Sequence, residues 1–197
     1  MLMRSRLPSF LSARFLADKR GIAATEFALI APALIFFVMG VLEMSFRFRA
    51  ADDATRYVHQ VADLISREET LTEAGLTDIY NASVHMMKPL DTTDNLDLDI
   101  ASVGFEGEDA TPTMYWRRVA GVPIDFKVEE TKDMGAQDET VIRVGVRYTY
   151  ESVLSSLFGG KTMAIEREAF TRPRMQRVVA MDGQTEDGGS IKYFAGG

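Results

Sequence analysis

Residues 22–42 read IAATEFALIAPALIFFVMGVL, 21 residues with Glu26 as the single charge, and residues 27–42 carry no charge at all. At about 1.5 Å of rise per residue, such a stretch makes a helix of about 32 Å, enough to cross a hydrocarbon core of about 30 Å. Outward from it the chain is lopsided. Residues 1–21 hold Arg4, Arg6, Arg14, Lys19 and Arg20 against Asp18, a charge of +4; the whole 197-residue chain is −7, so everything after Gly21 is −11. This follows the positive-inside bias, which keeps a basic leader in the cytoplasm and sends the acidic remainder across. Arg47, Arg49 and Arg56 on the far side are mixed with Glu43, Asp52 and Asp53. The 46% apolar content is ordinary only as an average of this stretch with a more polar remainder. A pI near 4.9 argues against broad electrostatic binding to nucleic acid. With no cysteine, disulfides, thiolate metal sites and thiol nucleophiles are excluded.

Three readings of the stretch compete. A cleaved secretory signal has an apolar region of about 7–15 residues and then a small-x-small site; here the run is longer and leads into Leu42-Glu43-Met44-Ser45-Phe46-Arg47. A plain anchor fits the length and flanks but leaves Glu26 unexplained, since a carboxylate at the bilayer centre costs about 2.5–3.5 kcal/mol, less near an end. The third reading gives Glu26 a use, against the simpler view that it snorkels to the interface.

Lys19-Arg20-Gly21 followed by Ile22-Ala23-Ala24-Thr25-Glu26-Phe27 resembles the processing site of type IV prepilin-like proteins. Arg20-Gly21, Ala23-Ala24, Glu26-Phe27-Ala28, Pro32, Gly40 and Glu43 together resemble the N-terminal segment of TadE-like proteins, minor pseudopilins of the tight-adherence (Tad, Flp) pilus system. VIRVGVRYTYESVL and EAFTRPRM resemble the close of that family. The related TadG-like proteins often carry a module with an Asp-x-Ser-x-Ser metal triplet, which this sequence lacks. The resemblance implies a non-enzymatic inner-membrane protein, N-terminus cytoplasmic and C-terminal domain periplasmic, cut by a prepilin peptidase between Gly21 and Ile22. Glu26 and Phe27 would then serve processing and assembly. The implied partners are the membrane, the peptidase, other pilins or pseudopilins and Tad assembly proteins, with no cofactor, metal, nucleic acid or small-molecule substrate. The chemistry is coherent: Gly admits an extended backbone to a protease cleft, and Glu26 can pair with a freed amino group. The alternative is an uncleaved single-pass anchor bearing a periplasmic binding or sensory module.

At 100° per residue, Glu26 shares a face with Ile30, Ala33, Phe37 and Gly40, and Ala24, Ala28 and Ala31 lie nearly opposite. Small residues permit close helix approach in lipid, although alanine is common in such helices anyway. Pro32 removes one backbone hydrogen bond and favours a kink.

Beyond the span, Met44, Phe48, Ala51, Tyr57, Val58, Val61, Ala62 and Ile65 recur at three- and four-residue steps, predicting an amphipathic helix to about residue 69. A second helix is expected over residues 71–87, stopped by Lys88-Pro89. From Leu96 the period becomes two, through LDLDIASVGF, TMYWRRVAG, PIDFKVEE, TVIRVGVRYTYESVL and TMAIEREAFTRPRM. The expected fold is α+β, with about four or five antiparallel strands packing one face on the amphipathic helix. The organisation reads as leader 1–21, transmembrane helix 22–42, helical stalk 43–89, β-rich domain 90–181 and mobile tail 182–197.

Reaction chemistry finds little support. SSLFGGKT lacks the first Gly of a P-loop and leads into a strand pattern, not a helix. Asp91, Asp94, Asp97 and Asp99 lack calcium-loop spacing, and alternation with Leu96, Leu98 and Ile100 makes Asp97 and Asp99 a solvated strand face. His59 and His85 read as helix-surface residues. Nucleophile-elbow and zinc-protease motifs are missing from the sequence. Tyr115-Trp116-Arg117-Arg118 reads as a strand with aromatics inward.

Overall fold

A computed structural model describes residues 20–88, 90–152 and 162–195; the basic residues 4–19, Pro89 and most of SSLFGGKT fall outside them. Helix α1, Arg20–Arg67, is 48 residues long and holds Pro32 in its interior. The chain divides into two compact units at Met44/Ser45, within this helix.

In the first unit, residues 21–30 are all exposed, including Phe27, Leu29 and Ile30. Among the described residues, α1 is the one helix long and apolar enough to cross a membrane, its best 18-residue window having a mean hydropathy of 2.3 with 6% of it buried.

The second unit is an α+β domain. The rest of α1 buries Ala50, Ala54, Tyr57, Val58, Val61, Ala62 and Ile65, a three- and four-residue stripe as the pattern predicts. Met44 and Phe48 from that expected stripe are exposed. Strand β1, Thr70–Leu71, leads to helix α2, Glu73–Met86, whose N-cap Thr72 accepts from the Gly75 amide at 3.1 Å. Then come β2 (Leu96–Glu106), β3 (Thr111–Ala120), β4 (Thr140–Tyr150), β5 (Met163–Thr171), β6 (Ala180–Met181) and β7 (Ile191–Ala195). Five of these form a sheet in the order β5-β4-β2-β3-β7, and β1 pairs with β6 in parallel.

Even-numbered positions of β2 and β4 (Leu96, Leu98, Ile100; Ile142, Val144, Val146, Tyr148) join Trp116, Ile165 and the α1 stripe in the main core. One register explains the whole set, because successive strand side chains point to opposite faces. Trp116, the single tryptophan, is fully buried, and its indole N–H donates to the Val179 carbonyl at 2.9 Å.

Three expectations are corrected. PIDFKVEE is no strand: it runs irregularly into a 3₁₀ turn, Val128–Thr131. Its alternating Phe126 and Val128 instead press on Ala101 and Val103 from outside the sheet. The Ile124 N–H and C=O bond the side chains of Asp99 and Arg117, at 2.9 and 2.7 Å, leaving no ladder to extend. The sheet is therefore lined on both faces, and Asp99, expected in solvent, is fully buried. Third, the stretch after Asp182, expected as a tail, supplies β7, which pairs with β3 in parallel, so the sheet is mixed and not purely antiparallel. The Asp187 and Gly189 amides both donate to the Tyr115 carbonyl, the Thr77 hydroxyl donates to Phe194 O at 3.3 Å, and the Tyr80 and Phe194 rings meet edge-on at 6.4 Å.

Candidate functional site

The residues singled out in the apolar segment all lie on one continuous helix. In its first turn the Thr25 hydroxyl lies within hydrogen-bonding reach of the Ile22 and Gly21 carbonyls, at 2.8 and 3.2 Å, helping to satisfy acceptors there. A Cβ added at Gly21 meets nothing within 4 Å. Packing therefore does not require glycine at this position. Ile22, Ala24, Glu26, Phe27 and Ala28 are exposed, Ile22 by 53% and Phe27 by 67%. Glu26 stands four residues after Ile22, one turn and about 6 Å along the axis. Ala31 is half-buried, Pro32 is exposed within unbroken helix, and Gly40 also has open space where a Cβ would sit. These side chains present a surface to whatever surrounds the helix, with no packed cavity and no converging catalytic groups.

A family described as TadE-like protein matches residues 21–63. Over those residues the chain is similar to this family. The match opens on Gly21, spans the apolar run and continues into the buried stripe of α1 as far as Asp63. No curated protein and no solved structure matches the chain.

Helix α1 leads into a domain whose most concentrated polar chemistry is structural. On the sheet face away from α1, Asp99 accepts from Arg117 through both carboxylate oxygens, at 3.0 and 2.6 Å, and Arg143 stands 3.8 Å from it. Hydrogen bonding to Asp99 is the largest influence on the Arg117 guanidinium and holds its pKa above the usual arginine value, against the opposing effect of burial. Arg143, almost wholly buried, lies 4.6 Å over the Phe126 ring and reaches Glu168 at 3.4 Å. Arg147 bridges Glu166 at 2.7 Å and Asp97 at 3.4 Å. Each anion faces cations, so the arrangement fixes strand neighbours and the covering segment together, with no free nucleophile. Among the described residues no group of three His, Asp or Glu is placed to hold a metal, and His59 and His85 are exposed on helices.

Sequence reasoning missed this network. The available signal was parity: Asp99, Arg117 and Arg143 each interrupt an apolar strand in the polar register, and opposite charges so placed on neighbouring strands can pair.

Proposed function

We propose that this protein is a non-enzymatic, single-pass membrane component of Tad pilus assembly whose N-terminal leader is removed by a prepilin peptidase between Gly21 and Ile22. The observation that carries the reading is the family match that opens on Gly21 and continues through Glu26 and the exposed apolar helix. Two physical points support it. A Cβ added at Gly21 meets nothing within 4 Å, so packing does not call for glycine there, which agrees with a role in recognition by another molecule. Glu26 is a carboxylate on a helix whose neighbours are apolar; a new amino group at Ile22, its own or another subunit's, would offset the cost of placing it in lipid. Ala24, Ala28, Ala31 and Gly40 would permit close approach of partner helices, and Pro32 a local bend. The basic residues 4–20 stay on the cytoplasmic side and the domain after the span on the periplasmic side.

Co-expression with a prepilin peptidase, followed by N-terminal sequencing and intact mass, tests this. The expected product starts at Ile22. Gly21→Ala should leave the leader attached, and Glu26→Ala should be cut but fail to co-purify with pilin-like partners. An intact leader despite active peptidase would favour the uncleaved anchor, a start beyond Ser45 would mean secretion, and parent-like behaviour of both variants would remove the site assignment.

A further inference from the structure

Among the described residues, every buried side chain of the main core precedes Asp182; beyond it, only the half-buried Phe194 packs against that core. The closing segment is nevertheless held to the domain by specific contacts. β7 lies at one edge of the sheet with β3 as its neighbour. The Asp187 and Gly189 amides donate to the Tyr115 carbonyl at 3.0 and 3.3 Å, the Asp187 carboxylate pairs with Arg118 at 2.6 Å, and Phe194 meets Thr77 and Tyr80 of α2 through its carbonyl and its ring. Each of these contacts joins the segment to the body of the domain, and a second copy offers the same body.

Body and segment are joined by a tight turn. The Met181 and Gln184 backbones bond each other in both directions, at 2.7 and 2.9 Å, around Asp182 and Gly183, whose φ angles are 50° and 78°. Left-handed backbone costs Gly183 nothing but strains Asp182, because an L side chain crowds the following carbonyl there. Opening the turn to extended backbone breaks both bonds and releases that strain. Residues 182–186 are all exposed, so no core side chain has to move. From Met181 to Asp187 the extended chain spans about 20 Å, enough to carry the segment off its own body. A short, strained hinge ahead of an element with few core contacts favours exchange between copies. An unrelated strand would need both a carboxylate for buried Arg118 and a ring for Tyr80 at the right spacing; a second copy carries both.

We propose that two copies of this chain exchange residues 187–195, each copy's β7 completing the other's sheet beside β3, with residues 182–186 as the hinge. The exchange involves the Ser45–Gly197 unit alone. The resulting dimer is isologous and remakes each contact of the closed monomer, so it differs in the hinges and in the new surface between copies, and concentration decides which form is populated.

The chain has no cysteine, so introduced ones report without ambiguity. Glu73 and Lys192 both approach the Arg118–Asp187 pair, Glu73 at 3.8 Å from Arg118 and Lys192 at 2.9 Å from Asp187, and both are about half exposed. Full-length Glu73→Cys and Lys192→Cys chains carrying different tags are co-expressed, purified in detergent and treated with a short bis-maleimide, beside a chain bearing both cysteines. A covalent 73-to-192 link between the two chains is expected. Its yield across a dilution series gives the dimer Kd. Asp182→Gly, which relieves the closed turn, should raise that Kd about fivefold, and Gly183→Ala, which strains the turn, should lower it by about as much. Links confined to single chains of the double variant, or joining like positions only, overturn the proposal. So does a 73-to-192 link that both hinge variants leave unchanged, since it reports mere proximity within a micelle.

Discussion

Asp99 closes the outer face of the sheet. Its oxygens bind Arg117 and the Ile124 amide while Arg143 stands near, so one carboxylate joins two strands to the segment that covers them. Removing one partner of a buried ion pair leaves uncompensated charge. Asp99→Ala should therefore cost about 3–5 kcal/mol, read from the denaturant midpoint of the full chain followed by Trp116 emission. Gly104 makes a second demand: a Cβ there would overlap the Tyr115 ring. Gly104→Ala should cost about 1–3 kcal/mol in the same assay as that ring is forced to move. Asp187 gives a pH signature. Burial opposes its ionisation, but the hydrogen bonds and charges of Lys192 and Arg118, at 2.9 and 2.6 Å, outweigh it and hold the carboxyl below the usual range. A depressed acid stabilises the fold above its unfolded value of about 3.9 and loses that contribution as pH falls through the folded value. The gap between parent and Asp187→Asn midpoints should be level from about pH 5 to 7 and close below about pH 4. The charges of Asp99 and Asp187 were plain in the sequence, but their partners were not. Arg117 and Arg118 are adjacent yet lie on opposite faces, and only the strand register assigns Asp99 to one and Asp187 to the other.

Among the elements, those governed by one repeating period were readable. Tyr57, Val58, Val61 and Ile65 mark the buried face of α1, and Leu96, Leu98 and Ile100 that of β2, because one core decides both stripes. The same alternation misleads at Phe126 and Val128, where a loop presses its apolar side chains onto the sheet from outside. β7 was hidden for another reason. A parallel pairing has no hairpin turn to announce it, and Gly188-Gly189-Ser190 just before it reads as loop. Of the candidate segment, the long apolar helix was legible because its length and want of charge are plain in the sequence, whereas Gly21 and Glu26 were singled out by their resemblance to a processing site; the network around Asp99 was not legible. Two substitutions probe the elements. Thr72→Ala removes the N-cap of α2 and should cost about 1 kcal/mol. Phe194→Ala should cost less than the roughly 3–5 kcal/mol of a fully buried phenylalanine, since the ring is half-buried and meets Tyr80 edge-on.

For the whole molecule, the unit boundary at Met44/Ser45 separates a lipid-suited segment from a domain with its own core. A chain beginning at Ser45 should remain monodisperse without detergent and keep the buried-tryptophan emission of the parent, whereas one retaining residues 20–44 should need detergent or lipid; size exclusion with light scattering distinguishes them. The parallel edge strand also dictates the timetable of synthesis. β3 is complete at Ala120, but its neighbour β7 begins at Ile191, roughly 70 residues later, which at about 5–20 residues per second is about 4–14 s of translation. Through that interval one edge of β3 has no strand beside it, Tyr80 has no Phe194 and Arg118 has no Asp187. The exposed apolar segment is made first and the last edge of the sheet last, so a nascent chain carries both an uncovered apolar helix and an unfinished sheet edge, and needs shielding from its neighbours through that interval.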